Sequence, residues 1–264
     1  MNRFVKDVKK YGRYVLYAGQ TELRAEVANS YLNWLWWIIE PLCFMFVYSL
    51  VFGIFFGASE PHFNVFVYIG VTLWDFFSHM LSSSVKVVRN NKPIVSKVYI
   101  PKYMLLFVKL YVNAFKLFVA LGILFVMVLV SGVKLSIHVL WIIPILLTLF
   151  VVTFAICAFL LHFGVYVDDL AKVTAIFLRM LFYLTGVFYN LEEKVTQALG
   201  STIAVLVGHC NPMASLIQAM RDAILYAKMP DLPFLIGWLV AGLAVSALGI
   251  HTIYKNENSY VKVI

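Results

Sequence analysis

Five ionisable side chains sit where such groups are expensive. Glu40, Asp75, His79, Lys116 and Arg179 all fall inside long stretches that are otherwise apolar. In hydrocarbon such groups persist when paired, when facing water or when used for transport. Asp75 and His79 are four residues apart and so share a helix face, the arrangement a proton relay needs. Glu40 lies about nine residues into its stretch, roughly 14 Å at 1.5 Å per residue, and Arg179 falls at a similar depth. Asp75 and Lys116 lie on consecutive antiparallel stretches at comparable depth and form a candidate charge pair. Pairs that only orient helices are the plainer reading.

Other chemistry is absent from the pattern. His62, His79, His138, His162, His209 and His251 are dispersed, with no carboxylate cluster or metal-ligand spacing, and Cys43, Cys157 and Cys210 show no C-x-x-C spacing. No catalytic or metal-binding set is expected. No G-x-x-x-x-G-K-[ST] run occurs, so a phosphate loop is not expected either.

The elements that carry these residues are membrane helices. Of 264 residues, 62% are hydrophobic and 13% charged, with mean hydropathy +0.89. At about 20 residues per crossing, this is an all-α integral membrane protein of six transmembrane helices in one domain. A net charge of +8 would suit nucleic acid on a soluble face. Here the cations flank apolar runs, so no nucleic-acid partner is expected.

Between two such runs lies one strongly basic interruption, Ser82–Lys109, with Lys86, Arg89, Lys92, Lys97, Lys102 and Lys109 and no acidic residue. Short basic loops stay inside, so this is a cytoplasmic loop, and both termini are expected in the cytoplasm. Its Asn-rich centre and Pro93 suit a short surface helix and turn offered to a soluble partner; a solvated connector is the alternative. Segments expected inside hold fifteen of the 21 cations and segments expected outside four.

In order, residues 1–30 read as an interfacial amphipathic helix, with Phe4, Val8, Tyr11 and Val15 on one side and Lys6, Lys9, Lys10 and Arg13 on the other. This is not the pattern of a cleavable signal. Residues 31–190 carry five spans: Tyr31–Phe56, Val65–Ser84, Pro101–Val130, Ile137–Val165 and Val173–Asn190. Residues 191–232 hold two short apolar pieces, Val195–Cys210 and a helix opened by Asn211 as cap and Pro212 at the first position. They read as two short re-entrant outer helices; one irregular seventh crossing is the alternative. Span six covers 233–254, and 255–264 is a cytoplasmic tail.

Several stretches resemble the permease subunits of ABC transporters that export lipid-linked polysaccharides, the O-antigen and teichoic-acid exporters. Ser30-Tyr31-Leu32-Asn33-Trp34-Leu35-Trp36 with Glu40-Pro41 is similar to the opening of that family's first span. Gly70-Val71-Thr72-Leu73-Trp74-Asp75-Phe76-Phe77 resembles its second. Ser82 through Tyr99-Ile100-Pro101 resembles its coupling segment, and Asn211-Pro212 with Arg221-Asp222 its outer helix. Two departures stand out: Val167-Asp168-Asp169-Leu170 lacks the family's Arg, and Glu40 replaces a neutral residue.

The resemblance implies a homodimer in a bacterial plasma membrane, driven by two separate ATPase subunits that bind ATP and Mg, with no cofactor in this chain. It implies a lipid-linked glycan substrate and contact of Arg89, Asn90, Asn91, Lys92, Pro93 and Ile94 with the ATPase. It also places the first and fifth spans around the path, which makes Glu40–Arg179 a pair, within one chain or across the dimer. Trp37, Phe44, Tyr48, Phe177, Phe182, Tyr183 and Tyr189 would line that path; ordinary core and lipid packing is their alternative. A drug exporter, a proton-coupled transporter using Asp75 and His79, and a membrane enzyme on lipid-linked sugars are the competing functions. The sequence shows no inverted repeat for the second.

Overall fold

The computed structural model describes residues 2–28, 31–55, 60–200 and 208–263, and these form helices and connections without a strand. Helix α1 (Asn2–Val27) is followed by α2 (Trp36–Tyr48), which continues as a π-helical stretch over Ser49–Phe55. Then come α3 (Phe63–Val85), two single-turn helices α4 (Val87–Asn90) and α5 (Lys92–Val95), and α6 (Tyr103–Val130). Next are α7 (Ile142–Tyr166), α8 (Leu170–Tyr183), α9 (Leu191–Leu199), α10 (Pro212–Ile224) and α11 (Leu232–Val263).

Five helical stretches are long and apolar enough to cross a membrane: Asn33–Gly53, Phe63–Val85, Tyr103–Val130, Ile137–Tyr166 and Leu232–Tyr260. The chain is a multi-pass membrane protein. Helix α3 is its centre, packed against α2, α6, α7, α8 and α10, and α11 lies along α7. That explains why α3 is buried through most of its length while α2 and α11 are not.

Three expectations change. Over Val173–Asn190 the expected fifth span holds the 14-residue α8, about 21 Å long, short of a roughly 30 Å hydrocarbon core. The helix stops at a turn where Gly186 has φ +68°, a left-handed conformation natural to glycine. The stretch beyond is irregular yet buried at Thr185, Val187 and Phe188. The expected cytoplasmic tail is helix: α11 continues past Lys255, with Glu257 and Tyr260 buried and the Tyr260 hydroxyl 2.7 Å from His162 Nδ1.

Helix α1 forms as expected but leans on α6. Asp7 accepts from Tyr103 at 2.9 Å, Glu22 pairs with Lys109, and Glu26 meets Lys116 at 2.6 Å. Between its first and last partners α1 advances about 28 Å and α6 about 20 Å at 1.5 Å per residue, so α1 climbs beside α6. Of the two short outer pieces, α10 starts where Asn211-Pro212 placed it. Of the apolar run Val195–Cys210, residues 201–207 lie outside the described residues, as do Ser30 and 56–59, and its first five residues belong to α9.

Candidate functional site

The basic loop is two single helical turns clamped from behind. Val87, Val88 and Val95 are buried, which turns Asn90, Lys92, Pro93 and Ile94 outward. Asn91 is half-buried and donates to Val87 O at 2.8 Å. Arg89 points back: it pairs with Asp168 and donates to Val165 O at 2.7 Å, tying α4 to the end of α7. Of the six residues expected to meet an ATPase, four are exposed and Arg89 serves the loop's own anchorage. Asp168 gave no signal for this, because its partner is 79 positions away in the chain.

The loop's far end joins a polar knot. The Tyr99 hydroxyl donates to Glu257 at 2.9 Å, and Arg3 donates to both at 2.7 Å. Tyr11 adds a bond to the Tyr99 carbonyl at 3.2 Å. Three segments distant in sequence meet here, which burial of Glu257 inside an otherwise polar-looking tail could not reveal.

Four of the expected path aromatics come together. Phe44, Tyr48, Phe182 and Tyr183 line one cavity of about 560 Å³ with Trp74, Asp75, Ser78, Ser82 and Arg179. Tyr48 lies 6.0 Å from Phe182, and Phe182 lies 5.4 Å from Trp74, ring centre to ring centre. Ser78 and Ser82 were missed, although their spacing of three and seven from Asp75 puts them on its face. Tyr189 stays close, donating to Tyr183 O at 2.5 Å, but does not line the cavity. Phe177 faces outward on α8. Trp37 packs on Phe115 at 5.7 Å and lines a separate, smaller cavity.

That smaller cavity, about 110 Å³, gathers Glu40, Asp75, His79 and Lys116 with Thr72 and Asn113. Within the chain neither expected pairing forms. Lys116 takes Glu26 of α1 instead of Asp75, and among the described residues neither Glu40 nor Arg179 has an ion-pair partner. Helix α1 outcompetes Asp75 because Glu22 and Glu26 climb in step with Lys109 and Lys116. Asp75 touches both cavities, so it divides the polar pocket from the aromatic one.

At the opposite end of the molecule Asn211, Pro212 and Arg221 act on backbone. Asn211 caps α10, accepting from Met213 N at 3.0 Å and Ala214 N at 3.4 Å, and donates to Thr185 Oγ1 at 3.1 Å. Arg221 is 2% exposed. Its guanidinium donates to Gly186 O at 3.0 Å, Val187 O at 2.6 Å and Phe66 O at 3.3 Å, and lies 3.4 Å over the Phe66 ring. Burial lowers its pKa to about 9, above neutral, so the cation is retained. The bonds to Gly186 and Val187 satisfy carbonyls that the broken end of α8 leaves without helical partners, and the one to Phe66 ties that turn to α3.

Gly70 makes the approach possible, since a Cβ there would lie 2.5 Å from Val187 O and 3.0 Å from an Arg221 nitrogen. Beneath α10 lies a polar cavity of about 650 Å³ that includes Glu60, Glu192, Asp222 and Asp231. Burial raises the Asp222 carboxyl above its ordinary range. Among the described residues no group of three or more His, Cys, Asp or Glu could hold a metal ion.

No protein-family model matches the chain. Three curated relatives align over most of their length, each named O-antigen export system permease protein RfbA. One from Myxococcus xanthus is 25% identical over 231 residues, 88% of this chain and 87% of its own. Two from Klebsiella pneumoniae are 19% identical over 244 residues, 92% of each chain, and 21% identical over 231 residues, 85% of this chain and 87% of the relative. The similarity to proteins of that name thus covers most of the length of this chain.

Proposed function

We propose that this chain is the membrane-spanning subunit of an ATP-driven exporter of lipid-linked cell-surface polysaccharide of O-antigen or teichoic-acid type. It works as a homodimer with two ATPase subunits in the plasma membrane. The observation that carries the reading is end-to-end similarity to permeases of O-antigen export systems. In this reading the chain binds no nucleotide; ATP and Mg belong to the partner.

The architecture supports six crossings with both termini on the cytoplasmic side. Arg89–Asp168 puts the start of α8 beside the basic loop. Trp238 near the start of α11 donates to His209 O, close to α10, at the other end. In this reading the chain crosses between Asp168 and Leu232, through α8 and its irregular continuation.

Export then divides into two tasks. Pro93 and Ile94 fill a groove on the ATPase, with Lys92 beside them, and the stroke is passed to α3, α4 and α7. The cavity of Phe44, Tyr48, Phe182 and Tyr183 offers ring faces to the C–H faces of sugars, while Ser78, Ser82, Asp75 and Arg179 bond hydroxyls or phosphate. Copurification tests the reading: the chain, expressed with a candidate ATP-binding-cassette ATPase from the same cell, is isolated as a complex and reconstituted. ATP-dependent movement of lipid-linked glycan is expected, with none when the ATPase is omitted. Movement without the ATPase, or hydrolysis of ATP by this chain alone, overturns it.

A further inference from the structure

A groove of about 830 Å³ runs between α1, α6, α7 and α11, on a side of the molecule away from the aromatic cavity. Its walls are apolar along the membrane-length helices: Phe107 and Leu110 of α6, Phe150 and Phe154 of α7, Leu243 and Ile250 of α11. A concave apolar surface at this depth is covered by an acyl chain when protein does not cover it.

The end of the groove is chemically different. Leu243, Ala247, His251 and Lys255 follow one another at intervals of four on α11, so a single exposed stripe changes from aliphatic to cationic. Lys255 lies about 6 Å along the axis beyond His251, within reach of a headgroup by extending its side chain.

The carboxylates at this end are already occupied. Asp7 accepts from Tyr103 and Tyr254 at 2.9 Å each and lies 3.8 Å from Arg3 Nε, and Glu257 accepts from Arg3 and Tyr99. Arg3 lines the groove while engaged to Glu257. His251 and Lys255 have no ion-pair partner among the described residues. A fatty slot ending at an imidazole and at a lysine with no carboxylate partner among the described residues complements one class of ligand, a lipid with an anionic headgroup.

We propose that this groove holds one anionic phospholipid from the leaflet on the basic-loop side, its acyl chain against Phe107, Phe150 and Phe154 and its phosphate at His251 and Lys255. The lipid fills the space between α1 and α11 beside the Arg3–Tyr99–Glu257 knot, and so completes the foot of the molecule. The inference needs the chain in a bilayer and does not depend on which substrate it exports.

The test is native mass spectrometry of the full chain released from nanodiscs of equimolar phosphatidylglycerol and phosphatidylcholine. Wild type is expected to retain one lipid per chain, with phosphatidylglycerol favoured about fivefold, the size expected for one basic side chain near an anionic surface. Ala247→Phe, which fills the groove, is expected to lose the retained lipid. The exposed double variant His251→Ala/Lys255→Ala, which leaves the core untouched, is expected to keep a lipid but lose the preference. Equal retention of both lipids by wild type overturns the proposal. So does an unchanged preference in the double variant, which stands as the deciding measurement if Ala247→Phe does not fold.

Discussion

Two arginines on the broken fifth segment and its cap show opposite uses of one side chain. Arg221 of α10 is enclosed, with its nitrogens on three carbonyl oxygens and its plane on Phe66. Arg179 of α8 is exposed at the rim of the aromatic cavity and pairs with no carboxylate among the described residues. A buried arginine saturated by carbonyls holds backbone in place. A membrane-segment arginine left open within one chain awaits something from outside it, a second subunit or an anionic substrate. The difference separates the half of the molecule that is finished from the half that is not.

The sharpest way to break this comparison is Arg221→Ala. Three carbonyls lose charge-assisted donors in a water-poor site, at a cost on the order of 5 kcal/mol. The expected outcome is a chain that fails to accumulate in membranes, read by quantitative blotting. Gly70→Val is next: with its Cβ forced onto Val187 O, the seam opens at a cost of about 1–3 kcal/mol. A lowered melting temperature in detergent checks it.

Ile94→Asp addresses the exposed loop. Losing one buried isoleucine contact, about 1.5–3 kcal/mol, should weaken ATPase copurification roughly tenfold or more while the melting temperature holds. Arg179→Glu should leave stability within about 0.5 kcal/mol of wild type and abolish export in a glycan surface-display assay. If instead it unfolds the chain, the two arginines are alike and the contrast fails. The smallest effect is expected from Tyr99→Phe, which removes hydroxyl bonds to Arg3 and Glu257 for about 1 kcal/mol, read as a small drop in melting temperature.

Much of this was legible in the chain itself, for physical reasons. Apolar length located α3, α6 and α7 to within a few residues, since each must span hydrocarbon by itself. Asn211-Pro212 located α10, because a cap and a first-turn proline act locally. The absence of acid between Ser82 and Lys109 marked the exposed loop. What stayed hidden depended on partners remote in sequence. Depth pointed Lys116 at Asp75, and only the climb of α1, which an interfacial helix would not make, brings Glu26 to it. The early end of α8 rests on Gly186, one glycine among 14, whose cost is offset by Arg221 thirty-five positions later. Arg221 looked like a polar residue at a helix end, and its burial follows from a turn that no local pattern marks.

The clasp between Arg89 and Asp168 has a mechanical corollary. Asp168 stands two positions ahead of Leu170, where α8 begins, and Arg89 stands five ahead of Ile94, an exposed apolar tip of the loop. In the proposed exporter a load applied at that tip has a route to the base of α8 beside the one through α3 and α7, because Arg89 holds both Asp168 and the Val165 carbonyl. The element that carries Arg179 and Tyr183 thus starts beside the loop and ends at the turn of Gly186.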